Sequence, residues 1–167
     1  ATPAQRLYLT HCASCHGAHE VRRPEDPLAP TSRKNVPNTC GTCHAGILEG
    51  YRAGVHGAAF ENGSADVPVC TDCHGEHSIA DPALENSSVS SRLVSRTCAR
   101  CHEDDDLARR YGMPPGRIAG WARSYHGITS AYGEEGAANC ASCHGHHDIF
   151  PAEDARSTVN PANLEAT

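Results

Sequence analysis

All ten cysteines of this 167-residue chain fall into five C-x-x-C pairs, and every pair is followed at once by histidine. They read Cys12-Ala-Ser-Cys15-His16, Cys40-Gly-Thr-Cys43-His44, Cys70-Thr-Asp-Cys73-His74, Cys98-Ala-Arg-Cys101-His102 and Cys140-Ala-Ser-Cys143-His144. C-x-x-C-H is the signature of covalent haem attachment. Its two thiols add to the two vinyl groups on one porphyrin edge, and two intervening residues let both sulfurs reach that edge. The adjoining imidazole is then held under the iron as its proximal ligand. A structural zinc site, a thioredoxin-like redox pair or a disulfide framework would each account for C-x-x-C, but none requires histidine after every pair. With 12 His among 167 residues, five such coincidences have odds on the order of 10⁻⁶ by chance. The expectation is five covalently attached haem c groups, anchored by the ten cysteines and ligated by His16, His44, His74, His102 and His144.

Five irons need five distal ligands, and a second regularity supplies five candidates. The first, third and fifth motifs extend to C-x-x-C-H-G-x-H, ending at His19, His77 and His147. The second and fourth lack this extension. Each is followed instead by a His-Gly pair 14 residues before the next motif's first cysteine: His56-Gly57 before Cys70 and His126-Gly127 before Cys140. His19, His56, His77, His126 and His147 are therefore the expected distal ligands, and His11 and His146 are left over. The one Met, Met113, lies in a loop, so bis-histidine ligation is the economical reading. Three residues of chain do not wrap around a porphyrin, so the second His of each C-H-G-x-H should reach a neighbouring haem. Which distal His serves which haem is not fixed by spacing.

The elements that must position these groups are short. Ile47–Val55 and Arg117–Tyr125 read as helices that lead to His56 and His126 and are stopped by the following Gly. Tyr51 and Trp121 occupy equivalent positions five residues before the ligand and are expected to pack on porphyrin. The fourth-to-fifth spacing is 42 residues against 30 for the second-to-third. The extra residues, between His102 and Trp121, are polar and Pro-broken and read as a surface loop with short helical pieces. Glu103-Asp104-Asp105-Asp106 within it reads as a solvated acidic turn, with partner docking as the alternative. The fold class expected is mostly irregular with short α-helices and little or no β. The whole chain, 1–167, reads as one haem-cored domain with segments 1–37 (haem 1), 38–94 (haems 2 and 3) and 95–167 (haems 4 and 5).

Composition supports a cofactor-filled interior. The chain has 1 Trp, 5 Tyr and 2 Phe against 15 Gly and 11 Pro, too few large apolar side chains for an ordinary core. A formal charge of -6 with scattered Lys and Arg excludes a nucleic-acid face. No run of 18 apolar residues exists, so no transmembrane segment is expected. The opening Ala-Thr-Pro-Ala is expected to be a mature end left after signal removal.

The Ser/Val-x-His-Gly pattern followed by a Cys-x-x-Cys-His-Gly-x-His-Asp/Ser-Ile block resembles the bacterial and archaeal multihaem c-type cytochromes. That resemblance spans the chain through its five motifs and is specific at the level of class. It implies a multihaem cytochrome c fold organised around stacked bis-His haems, and electron transfer rather than catalysis. No motif is altered to the C-x-x-C-K form of nitrite-reducing relatives, and two nitrogen ligands imply low potentials. A haem-based oxidoreductase with one open iron site is the alternative. The implied compartment is periplasmic or extracellular. Redox protein partners are implied, with the chain acting as a soluble carrier, a subunit docked on a membrane redox complex or a self-assembling filament protomer. One regularity bears on length. From Cys12 to Cys40 and from Cys70 to Cys98 is 28 residues each, and 28 beyond Cys140 is position 168. Thr39, Thr97 and Thr167 are equivalent, as are Val36, Val94 and Leu164. Either the repeat lost its last half or, as the favoured reading, the polypeptide continues into a sixth motif. In the latter case one assigned distal His is available to a further haem, with His11 or His146 as its replacement.

Overall fold

The structure is a computed structural model that describes residues 12–134 and 136–165. His11 and Thr167 lie outside the described residues. The described residues form ten short helices and no strand: α1 (Cys12–His16), α2 (Val36–Gly41), α3 (Ala45–Ala53), α4 (Val55–Glu61), α5 (Cys70–His74), α6 (Val94–His102), α7 (Asp105–Arg110), α8 (Arg117–Ala122), α9 (Tyr125–Ala131) and α10 (Cys140–His144). The expected class, short helices joined by irregular chain, is what is found. Two compact units result, one up to Gly50 and the other from Tyr51 onward.

The attachment motifs come in two local forms. The first, third and fifth are free-standing five-residue helices that begin at the first Cys and end at the motif His. Each stops at a glycine of positive φ: Gly17 at 80°, Gly75 at 77° and Gly145 at 76°. Gly75 and Gly145 have ψ of -172° and -170°, a region essentially reserved for glycine. This is why Gly follows His in these three copies. Residues inside the motif close the helix start. Asp72 accepts from the Val69 N–H at 2.7 Å, and Ser142 and Asn139 exchange hydrogen bonds of 3.1 Å each way, a reciprocal cap. In the second and fourth motifs the helix starts upstream, at Val36 and Val94, and enters the motif from behind.

The connecting segments look irregular in sequence yet repeat in structure. In the first, N–H groups of Asp26, Ala29, Ser32 and Asn35 each donate to the carbonyl three residues back. Leu84, Ser87, Ser90 and Leu93 do the same in the second, and Asp154, Ser157, Asn160 and Asn163 in the third. Each segment is thus a ladder of successive turns, which satisfies its backbone without helix or sheet. Asp26, Asp81 and Asp154 open turns by accepting the N–H two residues on, the Asx geometry that favours Asp there. Ala29, Ser87 and Ser157 are buried, so this register demands small side chains.

The Thr before the second and fourth motifs also acquires a reason. The Thr39 hydroxyl donates to the Pro30 carbonyl and the Thr97 hydroxyl to that of Ser88, both at 2.7 Å. Each pins a turn ladder to the helix that carries the next motif. The insert after His102 is a surface loop with a helical piece, as expected: Asp104 caps α7 by accepting from Asp106 and Leu107, and the acidic run is exposed.

One expectation is corrected. Gly57 and Gly127 do not stop helices. They lie inside α4 and α9, each of which begins one residue before the histidine. A Cβ on Gly57 would lie 2.1 Å from the Tyr51 carbonyl oxygen, and one on Gly127 2.2 Å from that of Trp121. Gly is needed because consecutive helices (α3 with α4, α8 with α9) cross at backbone contact.

Candidate functional site

Within the second unit, α6 is the hub. It packs against α7, α8 and α10 and so brings the fourth motif up to the third and fifth. Arg100, inside the fourth motif, donates to the carbonyl of Asp72 inside the third. The thiols of Cys98 and Cys140 are neighbours, and their interaction raises the Cys98 thiol and lowers that of Cys140. Cys140 also reaches the Ser95 hydroxyl at 3.6 Å, and Asn139 donates to the Ser91 carbonyl at 3.3 Å. Burial raises the Cys73 thiol, with Cys101 among its charged neighbours. Three of the five attachment motifs therefore converge on one helix. None of the ten cysteines, all of them described residues, forms a disulfide.

Two imidazole pairs form between distant parts of the sequence, and His146 also stands against its neighbour His147, with centroids 5.8 Å apart and planes at 73°. The rings of His74 and His147 have centroids 6.1 Å apart and planes 10° apart. Those of His56 and His102 are separated by 6.2 Å with planes at 58°. In both pairs one partner is the histidine of an attachment motif and the other is a histidine singled out by the repeat. His16 is half-buried, whereas His19, His44, His77, His126 and His144 are exposed, as is His146.

Backbone contacts place the segments that carry His56 and His147 side by side. The Val55 N–H donates to the Ile149 carbonyl at 2.8 Å. A Cβ on Gly54 would lie 3.0 Å from the Ile149 backbone nitrogen and oxygen and 3.1 Å from the His147 carbonyl oxygen. Glycine at 54 thus lets the start of α4 lie against the chain that carries His147. Tyr51 is buried on the preceding helix, and its hydroxyl donates to the Pro68 carbonyl at 2.9 Å. Nothing in the sequence spacing singled out Gly54, Ser95, Arg100 or Arg117. Only the three-residue rhythm of small and Asx residues in the ladders was there to be read.

The electrostatics suit neutral imidazole. Burial, helped by the neighbouring His102, lowers His56 to about 4. Partial desolvation also lowers His102 and His144, although both keep an exposed face, and the Arg117 guanidinium adds to both. An unprotonated ring nitrogen is the form that binds metal.

No group of three or more His, Cys, Asp or Glu side chains converges as a metal cage among the described residues. Facing imidazole pairs do not fit a tetrahedral zinc site, which needs four protein donors or three and a water. They do fit a metal whose other four positions are filled by a planar macrocycle. Comparison with protein-family models, with curated proteins and with solved structures returned no match. No helix among the described residues is long and apolar enough to cross a membrane.

Proposed function

We propose that this chain is a multihaem c-type cytochrome carrying five covalently attached haem c groups, and that it transfers electrons outside the cytoplasm. The observation that carries the proposal is the pairing of two motif histidines with two repeat histidines at ring-centroid separations of 6.1 and 6.2 Å, in a chain whose every cysteine sits in C-x-x-C-H. Haem iron, when bound, supplies reversible one-electron exchange between its ferric and ferrous states.

Everything else falls to the residues of this chain. Each cysteine pair tethers one porphyrin edge, so a group is retained through its redox cycle. Each proximal histidine, at the last position of its motif helix or just after one, offers an imidazole with fixed direction. Contact between Cys98 and Cys140, and between Arg100 and the third motif, keeps the attachment edges of three groups close, the condition for passage of electrons between them. Two imidazoles per iron close the coordination sphere and leave no position for substrate, which favours transfer over catalysis.

The protein-only core also supports the reading. Among the described residues the buried apolar ones are Ala29, Val36, Tyr51, Val67, Val69 and Ala108, far too little for a chain of this length. Apolar side chains next to the histidines are exposed, Ile79 beside His77 and Tyr125 beside His126. Five porphyrins would cover such surfaces. The partners proposed are redox proteins, with the chain acting as a soluble carrier, a haem subunit of a membrane complex or a filament protomer. Size-exclusion chromatography and electron microscopy of native material separate the three.

The test of transfer against catalysis is carbon monoxide added to the reduced native protein. Closed bis-His irons leave the Soret spectrum unchanged over minutes, and rapid binding at any haem would favour the open-site enzyme instead.

A further inference from the structure

We propose that His147 is the sixth ligand of the iron tethered at Cys70, Cys73 and His74, and that His56 is the sixth ligand of the iron tethered at Cys98, Cys101 and His102. This rests on the covalent-haem reading and goes beyond it, because spacing leaves open which distal histidine serves which haem.

Two imidazoles bound on opposite sides of one metal through bonds of about 2.0 Å hold their ring centroids about 6.2 Å apart. The two pairs stand at 6.1 Å and 6.2 Å. Sequence supplies the second leg. In each pair one ring belongs to a C-x-x-C-H motif and the other does not, which is the composition a proximal–distal pair must have. The partners are 73 and 46 residues apart, so the contacts come from the tertiary fold and not from neighbouring positions.

The backbone explains how both arms are held. Gly145 turns the chain at positive φ after the fifth motif and sends His147 away from the haem of His144 toward His74. The hydrogen bond from Val55 to Ile149 joins the His56 arm to the His147 arm. The distal ligands of haems 3 and 4 thus share one support, centred on the close approach of Gly54 to the His147–Ile149 backbone. Haem 5 is tied to haem 3 through the three-residue step from His144 to His147, and to haem 4 through Cys98 and Cys140. Haems 3, 4 and 5 form a triangle of mutual connections rather than a simple file.

The two clamps differ in the angle between their rings, 10° against 58°. Near-parallel imidazole planes give a rhombic low-spin ferric EPR signal, and planes turned toward perpendicular move the largest g value upward. The two haems are therefore distinguishable in one protein.

The experiment uses the holoprotein and its His56→Ala and His147→Ala variants. Haem content per chain is measured first; fewer than five in the parent protein would sink the covalent-haem reading itself. With five retained, each variant is expected to gain one carbon-monoxide-binding haem. His147→Ala should lose the rhombic component and His56→Ala the component of larger g. A variant that keeps five closed haems, or two variants that lose the same component, would overturn the assignment. In a Cys98→Ala/Cys101→Ala background, His56→Ala should open no additional haem; opening one would reassign His56. If an alanine variant fails to assemble, His56→Met and His147→Met read the same point. One haem of the five should rise in potential and show a methionine–iron charge-transfer band, and five unchanged haems would overturn the assignment.

Discussion

Two helix pairs in this chain follow one sequence pattern and reach different ends. In α3–α4 and α8–α9 an aromatic residue, Tyr51 or Trp121, stands five positions before a His-Gly pair, and in both the glycine is forced by a backbone crossing, where an added Cβ would lie 2.1 or 2.2 Å from a carbonyl oxygen. Yet His56 is half-buried against His102, whereas His126 is exposed beside its neighbour Tyr125. The difference lies two residues before the histidine. Gly54 admits the Ile149 backbone. Ser124 instead turns inward, its hydroxyl donating to the Trp121 carbonyl at 2.7 Å and accepting from the Gly127 N–H at 3.3 Å. A local motif shapes the hairpin. What docks against it decides where the imidazole goes.

The comparison can be broken hardest at what the two pairs share. Gly57→Ala and Gly127→Ala each drive a methyl into a backbone carbonyl and should destabilise by about 3 kcal/mol, read as lowered midpoints in denaturant unfolding of the holoprotein. Equal losses would show that the hairpin is one device used twice. The next effect separates the pairs. Gly54→Val should cost about 2 kcal/mol through crowding of Ile149 and also open one haem to carbon monoxide. Ser124→Ala should cost only about 1 kcal/mol as a lost helix cap, with no haem opened by loss of the His56–His102 contact. Smaller again, Thr39→Val and Thr97→Val each remove one hydroxyl-to-carbonyl bond between ladder and helix, about 1 kcal/mol by unfolding. Smallest is Arg52→Ala, which loses a half-exposed ion pair to Glu61 at 3.1 Å on the first hairpin only; a change of at most about 0.5 kcal/mol is expected.

How much of this could be read beforehand depends on the range of the interaction. The attachment motifs, the alternation of C-H-G-x-H with His-Gly and the helical insert after His102 are written in residues a few positions apart, where spacing alone carries the chemistry. The pairing of His56 with His102 and of His147 with His74 depends on one long-range backbone hydrogen bond and one missing Cβ at Gly54, and neither leaves a periodic trace. The role of Gly57 is hidden from local sequence for a related reason. A glycine after a helical run is as good a stop signal as it is a crossing point, and only the partner helix decides between them. The turn ladders lay in between. Their three-residue rhythm of Asp, Ser and Asn was visible, but its meaning emerges only when three copies place the same buried small residue in the same turn.

The central claim is that iron porphyrins, bonded to paired cysteines and clasped by imidazoles, form the interior of this molecule. Intact mass of the denatured, purified chain tests it most directly. Five haem equivalents added to the polypeptide, surviving denaturation and acid extraction, is the predicted result. A mass equal to that of the polypeptide alone, with its thiols open to alkylation, would contradict it.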